Sequence, residues 1–359
     1  MILVSMDPSR TEIAGQSVVV HYGDPSVEYA AFRTGAVAID RSHRARWRLR
    51  GPQAAETLTG LVTNDVVALA AGAGQYAGLL TAKGKIVADP TIYRLSDSIL
   101  VDVPSRATAG FAEVIRKYVN PRVTRYADES AITCDVGAYG VRAAHVVAAA
   151  LELDPAALIA LPAHGHLRIE SLAPDAIVAR VPTLAMDGFS IIAPADARAN
   201  LWRRLTIAGA TPGGLATWDI ARIEAGRPEW GVDIDDTTIP QEANFDELGA
   251  ISYTKGCYTG QETVARIHFR GHVNRHLRGL FLIGDELPQL HAPLIDAAGK
   301  IVGDVRSTVR SPRLGAIALA VVRREVAIGA GLTARWEPTP GAAPIEASAT
   351  VADLPFPTL

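Results

Sequence analysis

Residues 44 to 50, Arg-Ala-Arg-Trp-Arg-Leu-Arg, alternate polar and apolar positions with the period of a half-buried strand, and Gly51-Pro52 ends it. Helical spacing follows over residues 53 to 61. Glycine-bounded apolar runs then predict strands at 76 to 81 and 86 to 95, joined by the turn Ala82-Lys83-Gly84-Lys85. A further strand at 98 to 103 precedes an amphipathic helix at 106 to 118. The same reading gives helix-like stretches within 134 to 160, strands across 166 to 181 and 188 to 193, and helices at 196 to 208 and 217 to 225. Beyond Arg278 the pattern changes to short apolar runs separated by Gly, Pro and Asp turns, which predicts a small antiparallel β-barrel. Residues 1 to 25 read as a weakly patterned lead-in, and the Pro- and Ala-rich residues 338 to 359 as a loose tail. The fold class is α+β with a C-terminal barrel.

At 359 residues the chain is long enough for two or three domains with their own cores. Its 35 Lys and Arg nearly balance 38 Asp and Glu, for a net charge of −3, so no global field draws it to nucleic acid or to a membrane. Apolar runs stop short of the roughly 18 residues a membrane helix needs, and the first residues lack the basic start of a signal peptide. Cys134 and Cys257 are too few for a disulfide framework, so a reducing cytoplasm is the expected compartment. Walker A, G-x-S-x-G and dinucleotide-binding signatures are lacking.

Candidate chemistry concentrates in Lys255-Gly256-Cys257-Tyr258-Thr259-Gly260-Gln261-Glu262. Thr259 and Glu262 have the spacing of a capping box, and residues 263 to 270 continue as a short helix that Gly271 would end in the left-handed conformation. Cys257 would then sit at a helix N-terminus beside the positive charge of Lys255, both of which favour a thiolate. The alternative is a small buried hydrophobe. His268, His272 and His276 recur every four residues, but Gly271 breaks the stripe and the ligand count is short for zinc, so no metal is expected. Arg266, Arg270, Arg275 and Arg278 around them suit a carboxylate or phosphate, or form a solvated face. The acidic residues Asp233, Asp235 and Asp236 lack calcium-loop spacing.

The octapeptide resembles the K-G-C-[FYW]-x-G-Q-E motif of the YgfZ family, folate-binding relatives of the glycine-cleavage aminomethyltransferase (GcvT). Upstream, Gly51-Pro52, Thr63-Asn64-Asp65-Val66, Gln75-Tyr76-Ala77, Gly84-Lys85-Ile86 and Asp89 are similar to the folate-binding domain that both groups share, as are residues 221 to 226 and 239 to 243. The resemblance implies a GcvT/YgfZ-like fold with a folate-binding domain beginning at 26–135, and a second α+β domain at 136–270 that ends in the cysteine motif. A barrel at 275–337 follows. It implies tetrahydrofolate or a derivative as cofactor, bound by Asn64, Asp65, Gln75, Tyr76 and Asp89 with Arg222 near. Cys257 and Lys255 become the catalytic candidates, with Gly256, Tyr258, Gly260, Gln261 and Glu262 completing the motif.

The two branches part at two carboxylates. The aminomethyltransferases carry an adjacent Asp pair where this chain has Ala88-Asp89. They also carry a pterin-holding Glu where Met186 precedes Asp187-Gly188-Phe189. A thioether cannot accept the two hydrogen bonds of a pterin amidine edge. The resemblance therefore favours support of iron–sulfur cluster assembly or repair, and so of cluster enzymes that modify tRNA, with iron–sulfur proteins or assembly factors as partners. Two other roles stay open, a folate-dependent aminomethyl- or methyltransferase and a non-catalytic folate sensor.

Overall fold

The computed structural model describes residues 8–284 and 286–357. They form two compact units. The first takes the described residues up to Leu80, then Val87–Trp218 and Gly249–Thr259. The second takes Thr81–Ile86, Asp219–Leu248 and the described residues from Gly260 onward.

Two large sheets form the body of the first unit. Five antiparallel strands run in the order Arg125–Asp128, Ala45–Arg50, Ile99–Val103, Thr91–Arg94, Gly74–Tyr76. Six run in the order His166–Arg168, Ile177–Arg180, Gly188–Pro194, Thr133–Tyr139, Ala36–Asp40, Ala210–Gly213, the last joining in parallel. The helices Ala143–Leu151 and Arg198–Ile207 bury their apolar residues with Val136, Val178 and Ile191 of the larger sheet. A smaller cluster, Tyr93, Leu95, Leu100, Ile177, Ala179 and Ile192, joins the two sheets. Residues 1 to 25, expected to be weakly structured, include the hairpin Ser9–Ile13/Gln16–His21. Asp24 then caps the helix Pro25–Thr34 by accepting the Ser26 amide at 2.8 Å, with proline at the first turn.

The strand predicted at 44 to 50 forms, but it is not half-buried. Arg46 and Arg48 are as buried as Trp47 and Leu49. Burial is tolerable because most of their donors are met, Arg48 Nη1 being the exception. Arg46 donates to the carbonyls of Arg44 at 2.7 Å, Ser42 at 3.0 Å and Ser130 at 3.1 Å, while Arg48 meets Glu129 at 3.0 Å. The run at 86 to 95 splits into Ile86–Ala88 and Thr91–Arg94. Pro90 has no amide for the ladder, so the chain turns there and leaves Asp89 between two strands.

In the second unit, six antiparallel strands close a barrel in the order Arg275–Ile283, Gly315–Arg323, Ile301–Ser311, Pro293–Ile295, Gly331–Trp336, Ile345–Ala352. Leu280, Leu294, Val305, Ala320, Ala334 and Ala349 fill it. The loose tail expected at 338 to 359 is corrected here. Ile345–Ala352 pairs with Arg275–Ile283 on one side and Gly331–Trp336 on the other, and Phe356 is buried with its ring 5.2 Å from that of Phe281. Alternate apolar residues Ala347, Ala349 and Val351 supply the inward face, a two-residue period that the flanking prolines and alanines obscured.

Candidate functional site

Residues 249–259 lie in the first unit, stitched to the loop that follows the helix Ala54–Thr59. The Thr63 hydroxyl donates to the Ala250 carbonyl at 2.6 Å and accepts the Gly78 amide at 2.7 Å. The Ser252 amide donates to the Thr63 carbonyl at 2.9 Å, and the Thr259 amide to the Gly60 carbonyl at 3.1 Å. Asn64 Nδ2 reaches the carbonyls of Gly249 at 3.0 Å and Tyr76 at 3.1 Å. One amide thus ties the cysteine segment to the strand that carries Tyr76. The motif reading passed over Thr63; its sequence signal was a hydroxyl residue between a helix and a strand, beside Asn64.

Lys255 is 8% exposed. Its ammonium donates to the carbonyl of Thr59, the last residue of Ala54–Thr59, and to that of Val62 at 2.6 Å. It also lies 4.5 Å from the centroid of the Tyr258 ring. A cation suits a helix C-terminus, where carbonyls lack intrahelical partners. Burial pushes the ammonium down to about 8, against an upward pull from Asp65. Among the described residues its hydrogen bonds go to backbone carbonyls, which makes Lys255 the anchor of the segment. Cys257, two residues on, is exposed. A side chain at Gly256 would meet nothing within 4 Å, so the backbone beside the thiol is open.

The expected capping box does not form. The helix is Gln261–Arg270, its N-cap is Gly260 at φ 84°, and no side chain caps it. Thr259 is instead drawn to Gly60, and Glu262 is exposed in the first turn. Only glycine enters a helix easily from that left-handed angle. Gly271, expected in the left-handed region, is extended at φ −137°. Val264 is fully buried, whereas Ile267, its expected partner in a buried stripe, is partly exposed.

Asp89 is 6% exposed and accepts the Tyr76 hydroxyl at 2.8 Å. Tyr76 ends the strand Gly74–Tyr76, whose first residue must be glycine, since a Cβ there would sit 2.6 Å from the His164 carbonyl oxygen. Gln75 faces Ile92 across the ladder, and its Nε2 is buried without a hydrogen-bond partner. Asp65 turns the chain by accepting the amides of Val67 at 3.0 Å and Ala68 at 3.1 Å. Asn64, Tyr76, Asp89 and the cysteine segment thus form one connected set, with Asp65 next in the chain.

Arg222 lies outside it, in the second unit. Its guanidinium is engaged by Asp219 at 2.6 Å, Asp233 at 2.7 Å, Ser307 at 3.0 Å and the Arg227 carbonyl at 3.2 Å. Burial would lower its pKa, but Asp233 and Asp219 outweigh that and raise it. With those donors spent, a ligand-binding role for Arg222 would require it to leave two carboxylates. Of the other basic residues of the motif region, Arg275 pairs with Glu242 at 2.9 Å and Arg278 with Asp353 at 3.2 Å. His276 lies in the barrel strand Arg275–Ile283 and off the helix of His268. Among the described residues no cluster of three metal-ligating side chains occurs, and no helix is long and apolar enough to cross a membrane. Met186 follows the left-handed Ala185, and the next carboxylate, Asp187, is paired with Arg180.

A carboxylate oriented by a phenol can accept a hydrogen bond or a proton from a ligand amine. The exposed thiol is a separate nucleophile on a segment fixed at both ends.

The family described as the GCVT N-terminal domain matches residues 12–251 of the chain, ending just before Lys255. An aminomethyltransferase of Rubrobacter xylanophilus is 31% identical over 347 residues, covering 96% of this chain and 89% of its own length. One from Nostoc sp. is 29% identical, covering 90% and 86%. The crystal structure of the glycine cleavage system aminomethyltransferase T from Bartonella henselae superposes with a TM-score of 0.86 over 98% of this chain and 94% of its own, at 23% identity.

Proposed function

Because the chain belongs to the GCVT N-terminal-domain family, we propose that it binds a reduced folate beside Tyr76 and Asp89 and acts as a folate-dependent aminomethyl- or methyltransferase. The observation that carries this reading is the half-buried Tyr76–Asp89 hydrogen bond, held through Asn64. The residues fit such a ligand in their chemistry. Asp89 offers an acceptor to a ring or bridge N–H, and Gln75 holds a buried amide whose donor is unmatched. Tetrahydrofolate would supply the one-carbon carrier. Asp89 would accept the hydrogen bond of the ligand nitrogen and take or return its proton. Tyr76 keeps that carboxylate in one orientation.

Met186 stands where the resemblance places a pterin-holding glutamate, so binding is expected to be micromolar or weaker. Calorimetry with tetrahydrofolate tests the reading. Saturable binding that Asp89→Asn weakens about tenfold supports it, the worth of a charge-assisted hydrogen bond. No heat and no thermal shift at millimolar ligand would remove folate from the account.

A second reading, support of iron–sulfur cluster enzymes in the manner of YgfZ, is favoured by the exposed Cys257 on a segment that Lys255 anchors. Cys134, in contrast, is buried, and burial pushes its thiol up to about 11. Iodoacetamide at neutral pH is expected to modify Cys257 and spare Cys134, read by peptide mass spectrometry. Cys257→Ser is then expected to leave folate binding intact while lowering cluster-enzyme activity in a strain lacking the protein. Full complementation by the serine variant would leave the transferase reading alone.

A further inference from the structure

A cavity of about 340 Å³ in the first unit shares no lining residue with the Tyr76–Asp89 set. It lies between the hairpin Ser9–Ile13/Gln16–His21 and the backbone of Gly213-Gly214, and Arg10, Gln16, Tyr22, Asp40, His43 and Arg198 are among its polar lining. Its walls are fixed by Glu28, a buried carboxylate that accepts the Tyr22 amide at 2.6 Å, the Gly214 amide at 3.1 Å and the Thr217 hydroxyl at 2.6 Å. Gly214 approaches so closely that a Cβ would sit 2.3 Å from the Val20 carbonyl oxygen. The space is therefore built into the fold, and its size falls in the range of small-molecule sites.

Its lining has more donors than acceptors. Arg198, whose side chain is 54% exposed, gives its Nε to Asp40 at 2.5 Å, and among the described residues neither terminal nitrogen has a protein partner. Arg10 makes one long contact, to the Ser17 hydroxyl at 3.4 Å. The Tyr22 ring stacks on Trp202 at 5.6 Å, and among the described residues its hydroxyl donates to no protein group. Burial and then Asp40 raise its pKa, so it remains an O–H donor at neutral pH. Burial and the charges of Arg41, Arg44, Arg46 and Arg106 push the His43 imidazole down to about 3, so it stands neutral in a positive field. Arg10 and Arg198 against Asp40 leave one net positive charge on the lining.

We propose that this cavity binds a small monocarboxylate, taken in forked fashion by the two terminal nitrogens of Arg198, with Arg10 and the Tyr22 hydroxyl as flanking donors. The planar guanidinium edge matches a carboxylate in geometry. The single net charge matches a monoanion. A phosphate near −2 would overshoot it and face Asp40. This site stands apart from the folate reading and survives or fails without it.

The test is a titration of protein carrying 13Cε1-histidine, with the His43 signal assigned through His43→Gln. The probes are propionate, benzoate, the uncharged benzamide and inorganic phosphate. Both carboxylates are expected to move the His43 signal saturably at millimolar concentration, benzamide is not, and Arg198→Gln is expected to weaken benzoate about tenfold. No saturable shift with either carboxylate, an equal response to benzamide, or a response to phosphate alone overturns the proposal. If Arg198→Gln fails to fold, benzoate against benzamide on the natural protein decides the matter.

Discussion

Lys255 shows how one residue can be found by its motif and misjudged in its task. The sequence placed a positive charge two residues before a cysteine, and the expected consequence was an activated thiol. In the structure the ammonium is buried among the carbonyls of Thr59 and Val62. No linear pattern announces that partner, because the helix it caps lies almost 200 residues earlier in the chain. Its lowered pKa has a thermodynamic consequence. Between about 8 and 10.5 the unfolded chain holds the Lys255 proton while the folded chain has released it, so unfolding takes up protons and stability rises with pH across that window. Lys255→Met removes this dependence and leaves two buried carbonyls without a donor. The variant is expected to be less stable at neutral pH by about 1–3 kcal/mol. Its deficit against the natural protein should widen from pH 8 towards 10.5, where the natural protein no longer holds a buried charge. Urea unfolding at several pH values measures both. A deficit that shrinks over this range would mean the ammonium stays protonated and its charged hydrogen bonds dominate.

The elements were legible where one face is apolar and the other wet. The helix Thr108–Tyr118 falls almost where periodicity put it, and the strand Ile99–Val103, buried on both faces, was legible only as an apolar run. Legibility failed where partners lie far away in sequence. The buried arginines of Ala45–Arg50 read as a wet face because Glu129 and the carbonyls of Ser130 and Thr133 were invisible. The entry to Gln261–Arg270 was misread for the same reason. Thr259 and Glu262 had the right spacing for mutual capping, but the Thr259 amide is taken by Gly60 and the chain enters through a left-handed glycine. The two accounts separate in one experiment. Glu262→Ala is expected to change stability by less than about 0.5 kcal/mol, the usual effect of an exposed site. Gly260→Ala is expected to cost about 1–2 kcal/mol, the penalty of a Cβ in the left-handed region. Thermal melts of the two variants give the order, and a larger loss for Glu262→Ala would restore the capping box.

At the scale of the whole chain, the fold and the GCVT-type family were legible from segments scattered between Gly51 and Ala243, but the unit boundaries were not. Expected domains were contiguous, whereas the compact units interleave, Thr81–Ile86 and Gly249–Thr259 each belonging with sequence-distant partners. The barrel carries the sharpest test of such long-range organisation, because its closing strand is the segment that composition marked as loose. Ile345–Ala352 hydrogen-bonds along both edges, to Arg275–Ile283 and to Gly331–Trp336. A chain ending at residue 341 would leave those two strands with open edges. It would also uncover the apolar positions facing Ala347, Ala349 and Val351, and remove the ring of Phe356 from Phe281. Open edges beside uncovered apolar residues favour pairing between molecules. The truncated protein is therefore expected to accumulate as aggregate. A second truncation after residue 357, which keeps the strand and Phe356, should keep the oligomeric state and the melting temperature of the full chain. Size-exclusion chromatography and calorimetry on the two proteins make the comparison. A soluble 341-residue chain with the oligomeric state and melting temperature of the full chain would show that five strands suffice, and that the last strand covers the barrel without closing it.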